Sequence, residues 1–305
     1  MNRLLLLFVD GVGLAPAGDS NPLATTPTPA LSALLGGPLT VEQVQRRDGL
    51  LLCPIDAGLG VDGLPQSATG QTALFTGVNA PRHMGHHVAA FPGPRLRAIL
   101  AEHSVLKRAA GLGFEVTFAN PFTRAYFERL ESRRRRTHSA TTWTALAAGI
   151  DLRSAADLAA GRAVSWDVRR DRFQAALSDG EPAVPVIDEA TGGRHLAALA
   201  ASHHLTLWET FLTDLAGHFR FGITAAEAIG RVDGLLGGLL AARPDDLTVV
   251  LTSDHGNVEA GGHKRHTRNP VPLLAVGPAA ERFAGVEALT DVAGALLDAL
   301  GGEAA

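Results

Sequence analysis

The sequence predicts an α/β protein, a mostly parallel sheet with helices on both faces and a small inserted cap. Three observations predict it. Short apolar runs alternate with helix-like stretches along most of the chain. The first of these runs, residues 4–9, is apolar at every position, as in a strand covered on both faces rather than one. Three of them lead into an aspartate, Asp10, Asp214 and Asp254.

The elements follow in order. Residues 4–9 form the first buried strand, closed by Asp10-Gly11-Val12-Gly13. Residues 15–29, rich in Pro, Thr and Gly, read as a loop. Residues 28–35 make a short helix that Gly36-Gly37-Pro38 stops. One or two short strands fit within 39–56. A Gly-rich loop then leads to Ser67, which stands near the N-cap of a helix running to Thr76. Residues 79–94 read as a Pro/His/Gly loop, 95–111 as helix and 114–119 as a second buried strand. Residues 121–189 have weak periodicity and more charge, and are taken as the insertion between core segments 1–120 and 190–305. Beyond it come helix 191–202, strand 205–212, the long amphipathic helix 223–242, strand 247–251, strand 272–276 and a closing helix 289–300.

Composition narrows the function. The chain has 305 residues, 46% hydrophobic and 19% charged, which is a globular balance. A net charge of -4 lacks the basic excess of a nucleic-acid binder. The one basic block, at 133–136, reads as a solvated face. No run approaches the ~18 apolar residues of a membrane span. The apolar start of the chain is too short, and too soon ended by Asp10, for a signal peptide. A cytoplasmic enzyme without membrane or nucleic-acid partners is therefore expected. One cysteine, Cys53, excludes a disulfide framework and a Cys-rich zinc site, whereas twelve histidines leave His and carboxylate as the available metal ligands.

In parallel sheets ligands gather outside the carboxyl ends of the strands. Asp10, Asp214 and Asp254 should thus converge on one edge, where their mutual repulsion calls for cations. His218 follows Asp214 in DLAGH, His255 follows Asp254 in SDHGN, and His263 and His266 lie in GGHKRHTRNP. Each pattern alone is an ordinary turn or helix-face pair. Together they are the ligand chemistry of Zn, Mn or Fe rather than Ca. In PQSATGQT a hydroxyl at a helix start faces free backbone N–H groups that favour a phosphate. A neighbouring metal would make Ser67 a nucleophile, with Thr69 as the second choice.

These residues resemble the alkaline phosphatase superfamily, and within it the metalloenzyme branch of cofactor-independent phosphoglycerate mutase and phosphopentomutase. FVDGVG, QSATGQ, TDLAGH, TSDHGN and KRHTRNPVP carry the resemblance, over residues 4–77 and 205–277. It implies an alkaline-phosphatase-like core and two divalent ions, Mn or Zn. One ion would be held by Asp214, His218 and His266. The other would be held by Asp10, Asp254 and His255, with Ser67 as a further ligand and as the residue that carries the phosphoryl group. Two departures stand out. Gln71 occupies the place of a histidine in both mutases, and the chain is much shorter than the phosphoglycerate mutase and also shorter than phosphopentomutase. A mutase must shield its intermediate from water, so a small cap favours hydrolysis of a phosphate mono- or diester over a phosphomutase reaction. The Cys/Ser-x-Pro-x-Arg pattern of sulfatases is absent from 67–71. Arg82, His87 and His263 are candidate contacts for a small-molecule phosphate ester. A non-catalytic metal- or phosphate-ligand-binding protein is the alternative of another class.

Overall fold

The computed structural model describes residues 2–131 and 138–301, so the basic block at 133–136 lies outside the described residues. In chain order the elements are β1 (Arg3–Val9), α1 (Pro22–Thr25), α2 (Pro29–Leu35), β2 (Gln45–Arg47), β3 (Leu50–Ile55), α3 (Ser67–Thr76), α4 (Ala80–Met84), α5 (Pro94–His103), α6 (Val105–Gly111) and β4 (Val116–Phe118). A middle segment holds β5 (Pro121–Phe122), α7 (Arg124–Glu131), α8 (Ala140–Ala147), β6 (Arg153–Ser154), α9 (Ala155–Ala159) and α10 (Asp171–Ala175). The chain continues through α11 (Glu189–Ala201), β7 (Leu205–Thr210), α12 (Leu212–Gly217), α13 (Ala225–Ala242), β8 (Leu247–Thr252), β9 (Val271–Val276) and α14 (Leu289–Leu300).

Seven strands form one sheet in the order β2-β3-β9-β8-β1-β7-β4. From β8 through β1 and β7 to β4 the pairing is parallel, while β8–β9, β9–β3 and β3–β2 are antiparallel. The central strand β1 explains why its sequence is apolar throughout. Leu4, Leu6 and Phe8 enter one core with α3, α5, α6 and α14, and Leu5, Leu7 and Val9 enter the other with α2, α11 and α13. Helices therefore cover both faces. Each such Leu, fully buried, contributes ~1.5–3 kcal/mol. Phe8 meets Phe75 of α3 edge-on at 5.4 Å, which seats that helix on the end of β1.

Several elements differ in detail from the sequence expectation. The 95–111 helix is two helices, because Ser104 breaks the run and its side chain accepts from Lys107 N as the cap of α6. The 79–94 loop contains α4, capped by Asn79, whose side chain accepts from Arg82 N. Strand β7 ends at Thr210, so Asp214 stands in the first turn of α12 rather than directly after a strand. Within the expected insertion, α8 buries Ala140 and Ala145 in the core of α3 and α5, whereas Ala155, Leu158, Ala163, Phe173 and Val184 form a small cluster of their own. Among the described residues no helix is long and apolar enough to cross a membrane.

Candidate metal centre and catalytic cavity

Asp10 ends β1, and its backbone N–H donates to Thr210 O of the adjacent β7 at 3.0 Å. Gly11 follows with φ +74°, and a Cβ there would stand 2.8 Å from Asp214 Cβ, so only glycine lets the two carboxylate loops approach. Asp254 and His255 follow β8 directly, and both are fully buried. Asp214 and His218 are one helical turn apart on α12, with His218 Nε2 3.3 Å from Asp214 Oδ1. The loop between β8 and β9 brings in His266, whose ring stacks on His255 at 3.7 Å.

Two groups of donors result. In the first, His218 Nε2 and His266 Nε2 are 3.1 Å apart, and His266 Nε2 is 3.7 Å from Asp214 Oδ1. His218 Nδ1 lies 2.9 Å from Lys264 O and His266 Nδ1 lies 2.8 Å from Pro65 O. A carbonyl only accepts, so each Nδ1 must carry the proton. Both Nε2 lone pairs then point inward at each other and at a carboxylate. That arrangement is repulsive without a cation between them. The spacing is that of donors about 2.1 Å from a common ion and ~90–110° apart, so the residues fit a divalent metal. In the second group, His255 Nε2 lies 3.3 Å from Asp10 Oδ1, 3.5 Å from Asp254 Oδ2 and 3.0 Å from Ser67 Oγ. Asp10 Oδ1 is buried and makes no hydrogen bond, a vacancy in its bonding that a cation would satisfy.

The electrostatics agree with this shape. Burial, together with Asp254 and Asp214, lifts Asp10 well above the ordinary carboxylate range. Burial acts the same way on Asp214, but the His218 hydrogen bond, His255 and Asn257 outweigh it and hold that carboxyl at about 2. His218 is raised chiefly by its bond to Asp214, and His266 is lowered by burial and by His255.

Other side chains hold these groups in place. Gln71, on α3, donates to Asp10 Oδ2 at 3.1 Å and Asp254 Oδ2 at 3.0 Å. Asn257 donates to Asp214 Oδ1 at 2.8 Å. Sequence reasoning missed Glu259, a buried carboxylate that accepts from Gly13 N at 2.9 Å, Asn257 N at 2.8 Å and Asn269 Nδ2 at 3.0 Å, tying the loop after β1 to both ends of the β8–β9 loop. Its closeness to the SDHGN motif was the one available signal.

Ser67 is the first residue of α3 rather than its cap, which is Gln66. With Asp10, Gln71 and Asp214 it floors a cavity of about 640 Å³. Three segments wall it: the middle segment (Ser139, Trp166, Arg172), the loop before α5 (Ala90, Phe91) and the chain around α12 (Phe211, Leu215, Arg220, Phe221). Arg82 and His87 do not line this cavity. Arg82 is exposed on α4, and His87 Nε2 packs 3.2 Å from Val61 O. His263 is exposed beside a separate groove behind His266. The cationic residues on the cavity wall are instead Arg172, in the middle segment, and Arg220, two residues beyond the TDLAGH motif. Phe211 is half-buried and lines the cavity. Phe118 and Trp208 are core residues, the latter with its indole N–H donating to Val164 O at 3.0 Å.

A sequence profile of the Metalloenzyme superfamily matches residues 188–304, the part that supplies Asp214, His218, Asp254, His255 and His266. Over 97 residues the chain is 41% identical to the 2,3-bisphosphoglycerate-independent phosphoglycerate mutase of Halobacterium salinarum, and over 124 residues 34% identical to the phosphopentomutase of Hahella chejuensis. Those stretches are 29% and 40% of this chain, but 19% and 28% of the relatives. The whole chain superposes on a variant of TAB5 alkaline phosphatase with a TM-score of 0.53 at 12% identity, each chain covered in full. The chain is similar to the Metalloenzyme superfamily over residues 188–304, and its fold is that of alkaline phosphatase. The PH0037 protein from Pyrococcus horikoshii shares the fold more closely, with a TM-score of 0.59 at 16% identity over 100% of this chain and 98% of that one.

Proposed function

We propose that the protein hydrolyses a phosphate mono- or diester through a phosphoseryl intermediate on Ser67. One observation carries the reading: Ser67 Oγ begins α3, touches the Asp10–Asp254–His255 donor group through His255 Nε2 at 3.0 Å, and opens into the cavity. Asp214, His218 and His266 would hold one divalent ion, and Asp10, Asp254 and His255 a second with Ser67 beside it. Bound there, Mn or Zn would neutralise the phosphoryl oxygens and lower the pKa of the serine hydroxyl.

The residues do the rest. Ser67 loses its proton to solvent and its Oγ forms a bond to phosphorus as the bond to the leaving oxygen breaks. The alcohol departs after taking a proton from water. A second water then attacks phosphorus, its proton returns to the Ser67 oxygen as the Oγ–phosphorus bond breaks, and inorganic phosphate leaves from a monoester or a phosphate monoester from a diester. The N–H groups at the start of α3 face the transferring group, where they stabilise its charge. Gln71 and Asn257 keep the carboxylates oriented. We propose the stretch 121–189 as the cap over this site, since Ser139, Trp166 and Arg172 supply part of the cavity wall.

The matches to two phosphomutases favour a second reading, in which the phosphoryl group returns to the substrate. The assay that separates them uses p-nitrophenyl phosphate, bis-p-nitrophenyl phosphate and a panel of sugar phosphates with Mn or Zn, beside Ser67→Ala and Asp254→Ala. Metal-dependent release of phosphate or nitrophenol, reduced about 10³-fold or more in both folded variants, supports the hydrolase. Isomerised sugar phosphate without free phosphate selects the mutase. Full activity in Ser67→Ala refutes the serine mechanism.

A further inference from the structure

The wall of the cavity is wrong for a sugar phosphate. A polyol needs many hydrogen-bonding partners, and a site that buries its hydroxyls without them loses affinity steeply. Phe91, Trp166, Phe211, Leu215 and Phe221 line the cavity with Ser67. The rings of Trp166 and Phe211 lie 6.3 Å apart with a 50° tilt. Phe91 and Phe221 are 52% and 73% exposed, so their rings do little for the core. Phe221 also has φ +56°, a backbone region that bulky residues avoid. Its neighbour across the cavity, Ala90, has φ +62°. Strained, exposed apolar residues around a cleft are a cost to folding that binding can justify. Among the described residues, the polar side chains on this wall beyond Ser67, Gln71 and the metal-ligand aspartates are Ser139, Arg172 and Arg220. Arg172 bridges the middle segment to the opposite rim through Nη1, which donates to Phe221 O at 3.1 Å, while its buried Nε has no hydrogen-bond partner. A mostly apolar cleft with a few placed polar groups is the usual build of a small-molecule site, and about 640 Å³ suits a ligand of two or three rings.

We propose that the substrate is a phosphoester whose alcohol carries a bulky, flat apolar group, seated between Trp166, Phe211 and the Phe91–Phe221 rim. The inference rests on the reading that Ser67 is the nucleophile, because that reading orients the leaving group into this cleft.

The test must hold leaving-group chemistry constant, so the probes are all primary alkyl esters: 2-(1-naphthyl)ethyl phosphate, ethyl phosphate and glucose 6-phosphate. With the Mn- or Zn-loaded protein, kcat/KM for the naphthyl ester should exceed that for ethyl phosphate about 10–100-fold. The double substitution Phe91→Ala and Phe221→Ala should cut that ratio at least about fivefold. Independently of turnover, 2-(1-naphthyl)ethylphosphonate should quench tryptophan fluorescence of the loaded Ser67→Ala protein and bind it more tightly than ethylphosphonate. Turnover with equal efficiency for all three esters, or a preference that survives the double substitution, overturns the substrate inference and leaves the hydrolase standing. Tight naphthyl binding without turnover of any ester overturns the hydrolase and leaves the cleft assignment standing. Neither turnover nor preferential binding, in protein shown to be folded and metal-loaded, overturns both.

Discussion

Gln71 is an uncharged side chain whose amide reaches two buried carboxylates, one on each side of the strand pair that carries the site. It contributes no charge, so its effect is orientation: it fills one lone pair on each carboxylate and aims the others at His255 and Ser67. Gln71→Leu keeps the volume and removes the amide, and should weaken metal binding about 10–100-fold, as removal of a ligand's supporting partner generally does. A metal titration of the folded variant measures this. A nearby residue sets a pH dependence. Burial pushes Glu209 up to about 8 despite hydrogen bonds from Thr141 and Ser139. A carboxyl whose folded pKa lies above its ordinary 4.5 binds more protons folded than unfolded, so it favours folding below that value and loses this contribution as pH rises toward 8. The full span corresponds to ~5 kcal/mol. Thermal melts between pH 5 and 9 should fall more steeply in the wild type than in Glu209→Gln, whose amide does not titrate. Parallel curves would show that Glu209 is ionised when folded.

The elements carry their own constraint, which glycines reveal. Helices α11 and α13 pack so closely that a Cβ on Gly238 would stand 2.2 Å from Ala190 O, and one on Gly193 2.2 Å from Leu235 O. Gly230, on the same α13, has nothing within 4 Å of the same position. Gly238→Ala should therefore lower the melting temperature by several degrees, while Gly230→Ala should hold or raise it, since Ala is better in a helix by ~1 kcal/mol. Equal effects would mean that the helices can separate at no cost. The same scale shows what sequence could disclose. Strands β1 and β8 were legible because both faces are buried, which makes residues 4–9 apolar throughout and leaves only threonines among the aliphatics of β8, and α3 and α14 because Gly77 and Gly301 end them in the left-handed conformation. The antiparallel direction of β9 was not legible: a fully apolar strand reads the same either way, and only its pairing with β3 and β8 fixes the direction. The aspartates and histidines of the centre stand in short motifs at element ends and could be named. The cavity wall could not, because Phe91, Trp166, Arg172 and Phe221 come from loops with no period, and only their meeting in space gives them a common role.

For the whole molecule, the centre is a folding liability that metal should remove. Three carboxylates and three imidazoles from both halves of the chain close on one point at the end of the sheet. Burial, Asp254 and Asp214 lift Asp10 above its ordinary value, so in metal-free protein its ionisation opposes folding as pH rises above about 4. Asp214, held at about 2, contributes stability that is lost only below its ordinary 3.8, and it does not offset this loss near neutrality. A divalent ion reverses the balance: it binds the ionised carboxylates and neutral imidazoles of the folded protein and must displace protons to do so. The gap in melting temperature between metal-loaded and chelator-treated protein should therefore be small at pH 5 and widen toward pH 8. Ser67→Ala should keep most of that gap, since six other ligand side chains remain, whereas Asp254→Ala should lose most of it. A pH-independent gap would place the ion away from Asp10, and a gap unchanged in Asp254→Ala would place it outside this centre altogether.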